Sequence, residues 1–243
     1  MTRLFVPVDL SPETELPLPP ATAHRVREVL RARNGDALVL FDGKGGEYPA
    51  TIQTCNRETV TVRLGPQLAL ERESPLQITL AQGIARGERM DYTLQKAVEL
   101  GVTRIVPLAT IRSQVKLTDE RAGRRHLHWH AIVIHACEQC GRNRIPTLAP
   151  MTDVAAFAAD DSAAMRLILS PGAPHDLRAR IGQPSSFSLV IGPEGGLDPA
   201  EIAHLIAAGY QSVRLGPRVL RTETAALVAL TTLQVLAGDL CLT

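Results

Sequence analysis

The sequence predicts an α/β protein in two parts, a small β-rich module followed by a larger domain built on a parallel sheet. Up to about residue 72, short strand-like runs follow one another through turn residues, as in antiparallel sheets. From Leu76 onwards, strand-like runs alternate with helical patterns over short links, which favours parallel strands joined by helices. The polar stretch 70–75 (LERESP) separates the two patterns. We therefore predict one domain over residues 1–72 and a second over residues 73–243.

The first module is predicted to contain one helix and three strands. The run ATAHRVREVLRARNG places Val26, Val29 and Leu30 on one helical face. Three strand-like runs follow, DALVLFDG, EYPATIQTCN and ETVTVRLG, and the turn residues 42–46 join the first two as a hairpin. Lys44 lies among glycines in that turn, as in a phosphate-binding loop. That motif needs a helix after its lysine, whereas a strand follows here, so a plain hairpin turn is favoured.

The second domain begins with a strand, a helix and another strand. QITLAQGI and TRIVPLA are strand-like, and ERMDYTLQKAVELG between them carries an apolar helical stripe made of Met90, Leu94, Ala97 and Val98. Three later runs, MRLILSP, FSLVIG and VRLG, have the pattern of buried strands. This alternation indicates a parallel sheet with helices packed against it.

A further helix is predicted to begin at Asp198. The Asp198 side chain can cap the helix, a proline occupies the first helical position, and Glu201 can complete a capping box. Ile202, Leu205 and Ile206 are expected to form the buried side of this helix.

A long helix is predicted over residues 119–142, and it carries several histidines and cysteines. His126 and His130 are spaced i,i+4, and Cys137 and Cys140 have the spacing of a zinc-binding pair. A single helix points these side chains in different directions. We therefore favour an interfacial helix with small packing cysteines over a metal site, and we predict no metal.

The last helix, roughly residues 223–240, is apolar nearly all round. Such a helix must be covered on most sides, either by its own domain or by a second subunit, so we predict a homodimer. Its apolar run, residues 225–238, is shorter than the roughly 20 residues that cross a bilayer, and no membrane association is expected.

Composition narrows the class of protein. Hydrophobic residues make up 45% of the chain, which excludes a disordered protein, and aromatics make up only 3%, which disfavours a surface that stacks several bases. Residues 73–150 carry eleven Lys and Arg against seven Asp and Glu, a balance compatible with a phosphate-bearing partner. Four cysteines without a secretory signal favour a reducing, cytoplasmic location.

Two Gly-Pro loops, residues 192–196 (GPEGG) and 216–224 (GPRVLRTET), each follow a short strand and open into a helix. Such junctions lie at the edge of a parallel sheet, where α/β proteins bind ligands. Neither loop has a nucleotide-binding pattern, and Glu194 would repel a pyrophosphate. A ligand with a neutral purine and a positive centre suits them better, and S-adenosylmethionine has both. The alternative is that the glycines only permit tight turns.

Several motifs together resemble one known family. They are LVIGPEGGLDPAEI, LGPRVLRTETAAL, QKAVELG at residues 95–101 and ACEQCGR at residues 136–142, with the FDG hairpin and RGE at residues 86–88. Over its whole length the chain resembles the ribosomal small-subunit methyltransferase E family, bacterial enzymes that methylate N3 of one uridine in 16S rRNA.

The resemblance implies a fold and a set of partners. The fold would be a SPOUT-type α/β domain with a deep trefoil knot over residues 73–243, preceded by a PUA-like RNA-binding β-barrel over residues 1–72. The family uses S-adenosylmethionine as methyl donor, and its members are homodimers. The expected partner is 16S rRNA within the small ribosomal subunit, and the expected location is the cytoplasm.

The chemistry of this reaction suggests catalytic and RNA-contacting residues, and the resemblance implies a set of cofactor residues. Arg221 is expected to orient and stabilise the uracil anion, with Glu223 either holding Arg221 or acting as the base. Arginines are expected to contact the rRNA backbone, namely Arg3, Arg25, Arg86, Arg121, Arg124 and Arg125. At Ser170 the chain reads LSP where relatives are expected to read LHP, so this position receives no role. The residues expected to bind the cofactor are Leu169, Ile191, Gly192, Pro193, Glu194, Gly195, Gly196, Leu215, Gly216, Leu220, Arg221, Thr222, Glu223, Thr224 and Ala225.

Two other functions stay open at this point. One is a knotted methyltransferase for another RNA, such as a ribose methylase acting on transfer RNA, which the N-terminal β module and the LRTETAA loop disfavour. The other is a non-catalytic rRNA-binding or assembly protein. The intact Arg221, Glu223 and glycine loops disfavour that function.

Overall fold

The computed structural model describes residues 1–113, 119–181 and 184–240. The chain divides into two compact units, the first containing Met1–Glu73 together with Cys137–Ile145, and the second containing Ser74–Ala136 and Pro146–Thr243. The division after Glu73 falls in the polar stretch that separates the two sequence patterns. The return of residues 137–145 to the first unit differs from the boundaries that the sequence predicts.

The first unit is built on a five-stranded sheet of order β1-β3-β4-β5-β2. The β1 strand runs parallel to β3, and the other neighbouring strands are antiparallel. The three predicted strands and the hairpin between the first two are confirmed, whereas the short β1 and β2 carry no clear sequence pattern. Its strands are β1 (Thr2–Phe5), β2 (Glu15–Pro17), β3 (Ala37–Phe41), β4 (Tyr48–Cys55) and β5 (Val60–Leu64).

The helix of the first unit differs in detail from its prediction. The α1 helix (Pro20–His24) runs into one π-helical turn at Arg25–Val29. A π turn is wider than an α turn and shifts the phase of the side chains that follow it. Val26 is fully buried, whereas Val29 is 67% exposed. The prediction that Val26 and Val29 share one helical face is therefore wrong.

A network of buried polar contacts accounts for the returning segment. Arg3 donates hydrogen bonds to Glu47 and to Asn143 Oδ1, the latter at 2.6 Å. Arg142 pairs with Glu73 at 2.5 Å between Nη2 and Oε2. Buried charges require partners of opposite sign. These pairs therefore fix Arg142 and Asn143 within the first unit.

The second unit contains a parallel sheet whose described strands have the order β11-β13-β10-β12-β6-β7-β8, with β9 beside β7. Because β10 lies between β12 and β13 and runs parallel to both, the carboxyl ends of these three strands lie at one edge. The strands are β6 (Gln77–Gly83), β7 (Arg104–Ala109), β8 (Thr147–Leu148), β9 (Thr152–Asp153), β10 (Met165–Leu169), β11 (His175–Asp176), β12 (Ser186–Ile191) and β13 (Gln211–Arg214).

Four helices of the second unit were predicted and are present with ends within three residues of their predicted ends, whereas α4 was not predicted. The predicted stripe of α2 is fully buried, and α5 begins with the predicted capping box at Asp198 and Glu201. Ile206 is 52% exposed, so its predicted burial is wrong. Glu201, five residues earlier, is buried and accepts a hydrogen bond from the Ile111 N–H. The helices are α2 (Glu88–Glu99), α3 (Asp119–Cys140, whose last turn belongs to the first unit), α4 (Val154–Asp160), α5 (Pro199–Ala207) and α6 (Thr222–Ala237), with one 3-10 turn at Leu177–Ala179.

The last helix, α6, is covered on only part of its surface. In α6, Ala226, Leu230 and Leu233 are buried, whereas Val228 is 39% and Leu236 43% exposed. One apolar face of α6 is therefore uncovered in the single chain.

The histidines and cysteines of α3 point in different directions. Cys137 is buried, and burial raises the pKa of its thiol to about 12, so it packs as a neutral side chain. His128 and His130 are exposed. Within the described ranges, no cluster of His, Cys, Asp or Glu is arranged to hold a metal ion.

Candidate functional site

Two loops at the carboxyl edge of the second unit's sheet form one cavity. The first loop, residues 192–196, connects β12 to α5. The second loop, predicted over residues 216–224, spans residues 215–221 between β13 and α6, because α6 begins at Thr222. Because β10 lies between β12 and β13, Ser170 and Pro171 at its end complete the wall. The cavity has a volume of about 490 Å³, which is the size of a small-molecule site.

The structure brings most of the expected cofactor residues together around this cavity. All of them line it except Gly216, Glu223 and Thr224, which belong to the second loop and the first turn of α6. The lining residues are Arg89, Leu169, Ser170, Pro171, Ile191, Gly192, Pro193, Glu194, Gly195, Gly196, Leu215, Arg218, Val219, Leu220, Arg221, Thr222 and Ala225.

Five lining residues were not predicted for the site. The sequence could have indicated four of them, but it carries no sign of the fifth, Arg89. Ser170 and Pro171 follow a predicted strand, so the rule that ligands bind at strand ends could have included them. Arg218 and Val219 lie inside the second loop and could have been included by position. Arg89 lies on α2, remote in sequence from both loops, and no local pattern marks it.

The first loop depends on two glycines that allow backbones to approach closely. A Cβ atom on Gly192 would lie 2.7 Å from the backbone N of Leu197, and one on Gly83 would lie 2.5 Å from the backbone N of Pro193. Both separations are far below van der Waals contact, and both obstacles are backbone atoms. The path of the loop therefore requires these glycines.

Replacing Gly192 by alanine is expected to lower the free energy of unfolding by about 1–3 kcal/mol, because the added methyl group must displace backbone. Urea denaturation followed by circular dichroism measures the change. Gly172→Ala is the matched control, since a Cβ there meets no atom within 4 Å and its φ is not positive. Equal stability of the two variants would contradict the steric argument.

A buried threonine ties the second loop to the first. The Thr222 hydroxyl donates to the Gly192 carbonyl at 2.7 Å and accepts from Gln82 Nε2 at 2.8 Å. Thr222 and Gln82 are both buried, so water does not compete for these bonds. The first residue of α6 is thus held against the first residue of the GPEGG loop.

Charged side chains of both signs surround the cavity. Arg89 Nη1 lies 2.8 Å from Glu194 Oε1, and Arg89 Nε lies 4.0 Å from Glu223 Oε1. Burial raises the pKa of Glu194, but hydrogen bonds from backbone N–H groups and from Arg89 outweigh it and lower that pKa overall. Arg218 and Arg221 are exposed and form no ion pair with any described residue. The surroundings of the cavity therefore combine carboxylates with two cations that no described carboxylate neutralises.

The arginines expected to contact RNA fall into two groups. Arg3 has a largely buried side chain, and Glu47 and Asn143 accept its hydrogen bonds, so its guanidinium is not available to a phosphate. Arg25 donates through Nη1 to both Glu138 oxygens, at 2.9 and 2.6 Å. The expectation for Arg3 is corrected, and that for Arg25 is weakened, because these carboxylates occupy their charges. The others remain on the surface: Arg86, Arg121 and Arg124 are exposed, and Arg125 is half-buried.

No helix in the described ranges has both the length and the apolar character needed to cross a bilayer.

Comparison with known proteins identifies both parts of the chain. The family model of the RNA methyltransferase domain matches residues 72–234, and that of the RNA methyltransferase PUA domain matches residues 27–65. A Legionella pneumophila protein solved in complex with S-adenosylmethionine is 43% identical, with a TM-score of 0.95, over 98% of this chain and 99% of that one.

Two relatives carry the same family name. The ribosomal RNA small subunit methyltransferase E of Neisseria gonorrhoeae, solved bound to S-adenosylmethionine, is 39% identical with a TM-score of 0.92 and covers 99% of both chains. The protein of that name from Buchnera aphidicola (strain Sg) is 32% identical over 98% of this chain and 97% of its own length. This chain belongs to the ribosomal RNA small subunit methyltransferase E family.

Proposed function

We propose that this protein transfers the methyl group of S-adenosylmethionine to N3 of one uridine in the 16S rRNA of the small ribosomal subunit. The observation that carries the proposal is the cavity of about 490 Å³ between the two Gly-Pro loops. The family name of its relatives supports small-subunit rRNA as substrate, and the two structures with bound S-adenosylmethionine support the donor.

The residues around the cavity fit S-adenosylmethionine. The loop backbones offer N–H and C=O groups for adenine, and Leu169, Ile191 and Leu220 offer apolar surface for its ring. Glu194 and Glu223 carry negative charge suited to a positively charged sulfonium. When bound, S-adenosylmethionine supplies an electrophilic methyl group. Positioning that group in line with the attacking nitrogen is the main task of the site.

Two side chains are assigned to the uracil. Its N3–H is a weak acid and must lose the proton for N3 to attack. Arg221 is exposed and unpaired among the described residues, so its charge is available to stabilise the uracil anion. Glu223 acts as the base. The sequence left open whether it holds Arg221 instead, but the cation beside Glu223 is Arg89, which favours the role of base.

Arginines at the surface are proposed to contact the rRNA backbone. Arg86, Arg121, Arg124 and Arg125 remain candidates from the sequence, and Arg218 joins them because it lies exposed and unpaired at the cavity among the described residues. A uridine within a folded subunit has to be exposed or flipped to reach such a cavity.

We also propose three features of the fold and the assembly. We propose that α6 threads beneath the first loop as part of a trefoil knot, supported by the buried bond between Thr222 and Gly192. The five-stranded sheet of the first unit is proposed to be a PUA-like RNA-binding barrel, and the family match over residues 27–65 supports this. The uncovered face of α6, with Val228 and Leu236, supports a homodimer. A monomeric mass in light scattering at micromolar concentration would rule the homodimer out.

The test combines donor binding with mapping of the modification. The purified protein is expected to bind S-adenosylmethionine in calorimetry and to methylate small subunits from cells that lack the gene, with the methyl group at a uracil N3 by mass spectrometry. Absence of donor binding would favour the non-catalytic rRNA-binding protein. A methyl group on a ribose, or on transfer RNA, would favour the other methyltransferase.

A further inference from the structure

Arg89 connects the two loops of the cavity through their carboxylates. It is the second residue of α2, and its guanidinium lies between Glu194 of the first loop and Glu223 at the start of α6. The distances are unequal, 2.8 Å from Nη1 to Glu194 Oε1 but 4.0 Å from Nε to Glu223 Oε1. Arg89 is therefore hydrogen-bonded to one carboxylate and acts on the other through charge alone.

Glu194 is held by hydrogen bonds from two other residues. Glu194 Oε1 accepts from Arg89 Nη1 at 2.8 Å and from the backbone N–H of Arg86 at 2.9 Å. Those donors, together with its own backbone N–H, hold the carboxyl in its ionised form. Glu194 is thus a fixed negative charge that anchors the guanidinium in one orientation.

One oxygen of Glu223 has no hydrogen-bond donor among the described residues. Its Oε2 atom is buried, and no described residue donates a hydrogen bond to it. A buried acceptor without a donor is costly in a folded protein and usually marks a place where a ligand or water supplies the donor. Because Arg89 stays 4.0 Å away, it attracts this carboxylate without occupying either oxygen.

We propose that Arg89 is a positioning residue that, anchored by Glu194, holds the Glu223 carboxylate in place with Oε2 available to the N3–H of the target uracil. This inference rests on the proposed function. In the reaction, the N3–H proton passes to Glu223 Oε2 as the bond from N3 to the methyl carbon forms and the sulfonium–methyl bond breaks. Arg89 touches neither the proton nor the uracil. It acts only by fixing the acceptor that takes the proton.

A double-mutant cycle tests whether Arg89 acts through Glu223. Arg89→Ala is expected to lower kcat on unmethylated small subunits about 10²-fold, the lower end of what a positioned base contributes, with the KM for S-adenosylmethionine changed less than about 3-fold. Glu223→Gln is expected to lower kcat at least as much. In the Glu223→Gln background, Arg89→Ala is expected to cause no further loss, because its target is already absent.

Two further variants complete the design. Arg89→Lys keeps the positive charge but lacks the several N–H donors that a guanidinium holds in one plane. Its activity is therefore expected to lie between those of Arg89→Ala and the wild-type protein. Lys96→Ala, two turns along α2 and paired with Glu99, is the control that keeps wild-type activity.

The outcomes separate this inference from the function on which it rests. If Arg89→Ala lowers kcat by the same factor with and without Glu223→Gln, Arg89 acts independently of Glu223 and the inference is overturned while the proposed function stands. If Glu223→Gln has wild-type kcat, Glu223 is not the base, and the inference fails with that assignment. A lack of any methylation by the wild-type protein would instead overturn the proposed function.

Discussion

Replacing Arg221 by alanine is expected to lower kcat for small-subunit methylation about 10²–10³-fold, the loss typical of removing one preorganised donor to a developing anion. Arg221 lies exposed at the cavity, just before the first turn of α6, and no described carboxylate neutralises it. Negative charge develops on the uracil only as N3 loses its proton. The stabilisation is therefore greater in the transition state than in the ground state, and the loss should fall on kcat.

The measurement is the initial rate of methyl transfer to unmethylated small subunits, with calorimetry on S-adenosylmethionine to separate catalysis from donor binding. Arg221→Lys should lose less activity than Arg221→Ala, since it keeps the charge but not the fork. Arg104→Ala is the control, because Arg104 begins β7 at the opposite edge of the sheet and forms an exposed pair with Asp160. Activity of Arg221→Ala within about 3-fold of wild type would remove Arg221 from the mechanism.

The parts of the site that the sequence predicts are those whose signals are local. Each Gly-Pro loop follows an apolar run, and Asp198 with Glu201 forms a capping box within four residues, so the pattern marks both the loop and the helix after it. The close approach at Gly192 likewise involves Gly196 and Leu197, which lie only four and five residues further along the chain. Such signals depend on backbone conformation and do not require knowledge of the tertiary fold.

The parts that the sequence could not predict depend on residues distant in the chain. Arg89 reaches Glu194 and Glu223 only because the parallel sheet brings the start of α2 to the same edge as both loops. In the same way, the role of Arg3 depends on Glu47 and Asn143, and an isolated arginine gives no hint that it will be buried. The expectation that Arg3 contacts the rRNA backbone therefore depended on its charge and not on its surroundings in the fold.

The helical periodicity also predicted the wrong position for two apolar side chains, one on an irregular helix and one on a short helix. Val29 fits a 3.6-residue period, but a π-helical turn at Arg25–Val29 rotates it outward. Ile206 fits the apolar stripe of α5, but it is half-exposed, whereas Glu201 is buried and accepts a hydrogen bond from the Ile111 N–H. In both cases a tertiary contact or a change in helix type outweighed an apolar side chain.

The second large effect is expected on stability. Arg3→Met should lower the free energy of unfolding by about 3 kcal/mol, because it leaves the buried Glu47 carboxylate without its main partner. This is the lower end of the range of about 3–5 kcal/mol for breaking a buried pair, since Arg72 still lies 3.6 Å from Glu47. Urea denaturation measures it, with Arg63→Ala as control. Arg63 forms an exposed pair with Glu15, and its loss should change stability by less than about 1 kcal/mol.

A companion variant distinguishes a buried ion pair from simple loss of packing. If the cost of Arg3→Met arises from the stranded Glu47 charge, then replacing both residues by methionine should give a protein more stable than Arg3→Met alone. A double variant whose loss equals the sum of the two single losses would contradict the coupling.

At temperatures where Arg3→Met is folded, its methylation rate should stay within about 3-fold of wild type, because the Arg3 guanidinium is bonded to Glu47 and Asn143 and has no access to RNA. A larger drop in the rate of the folded variant would return Arg3 to the RNA-contacting set.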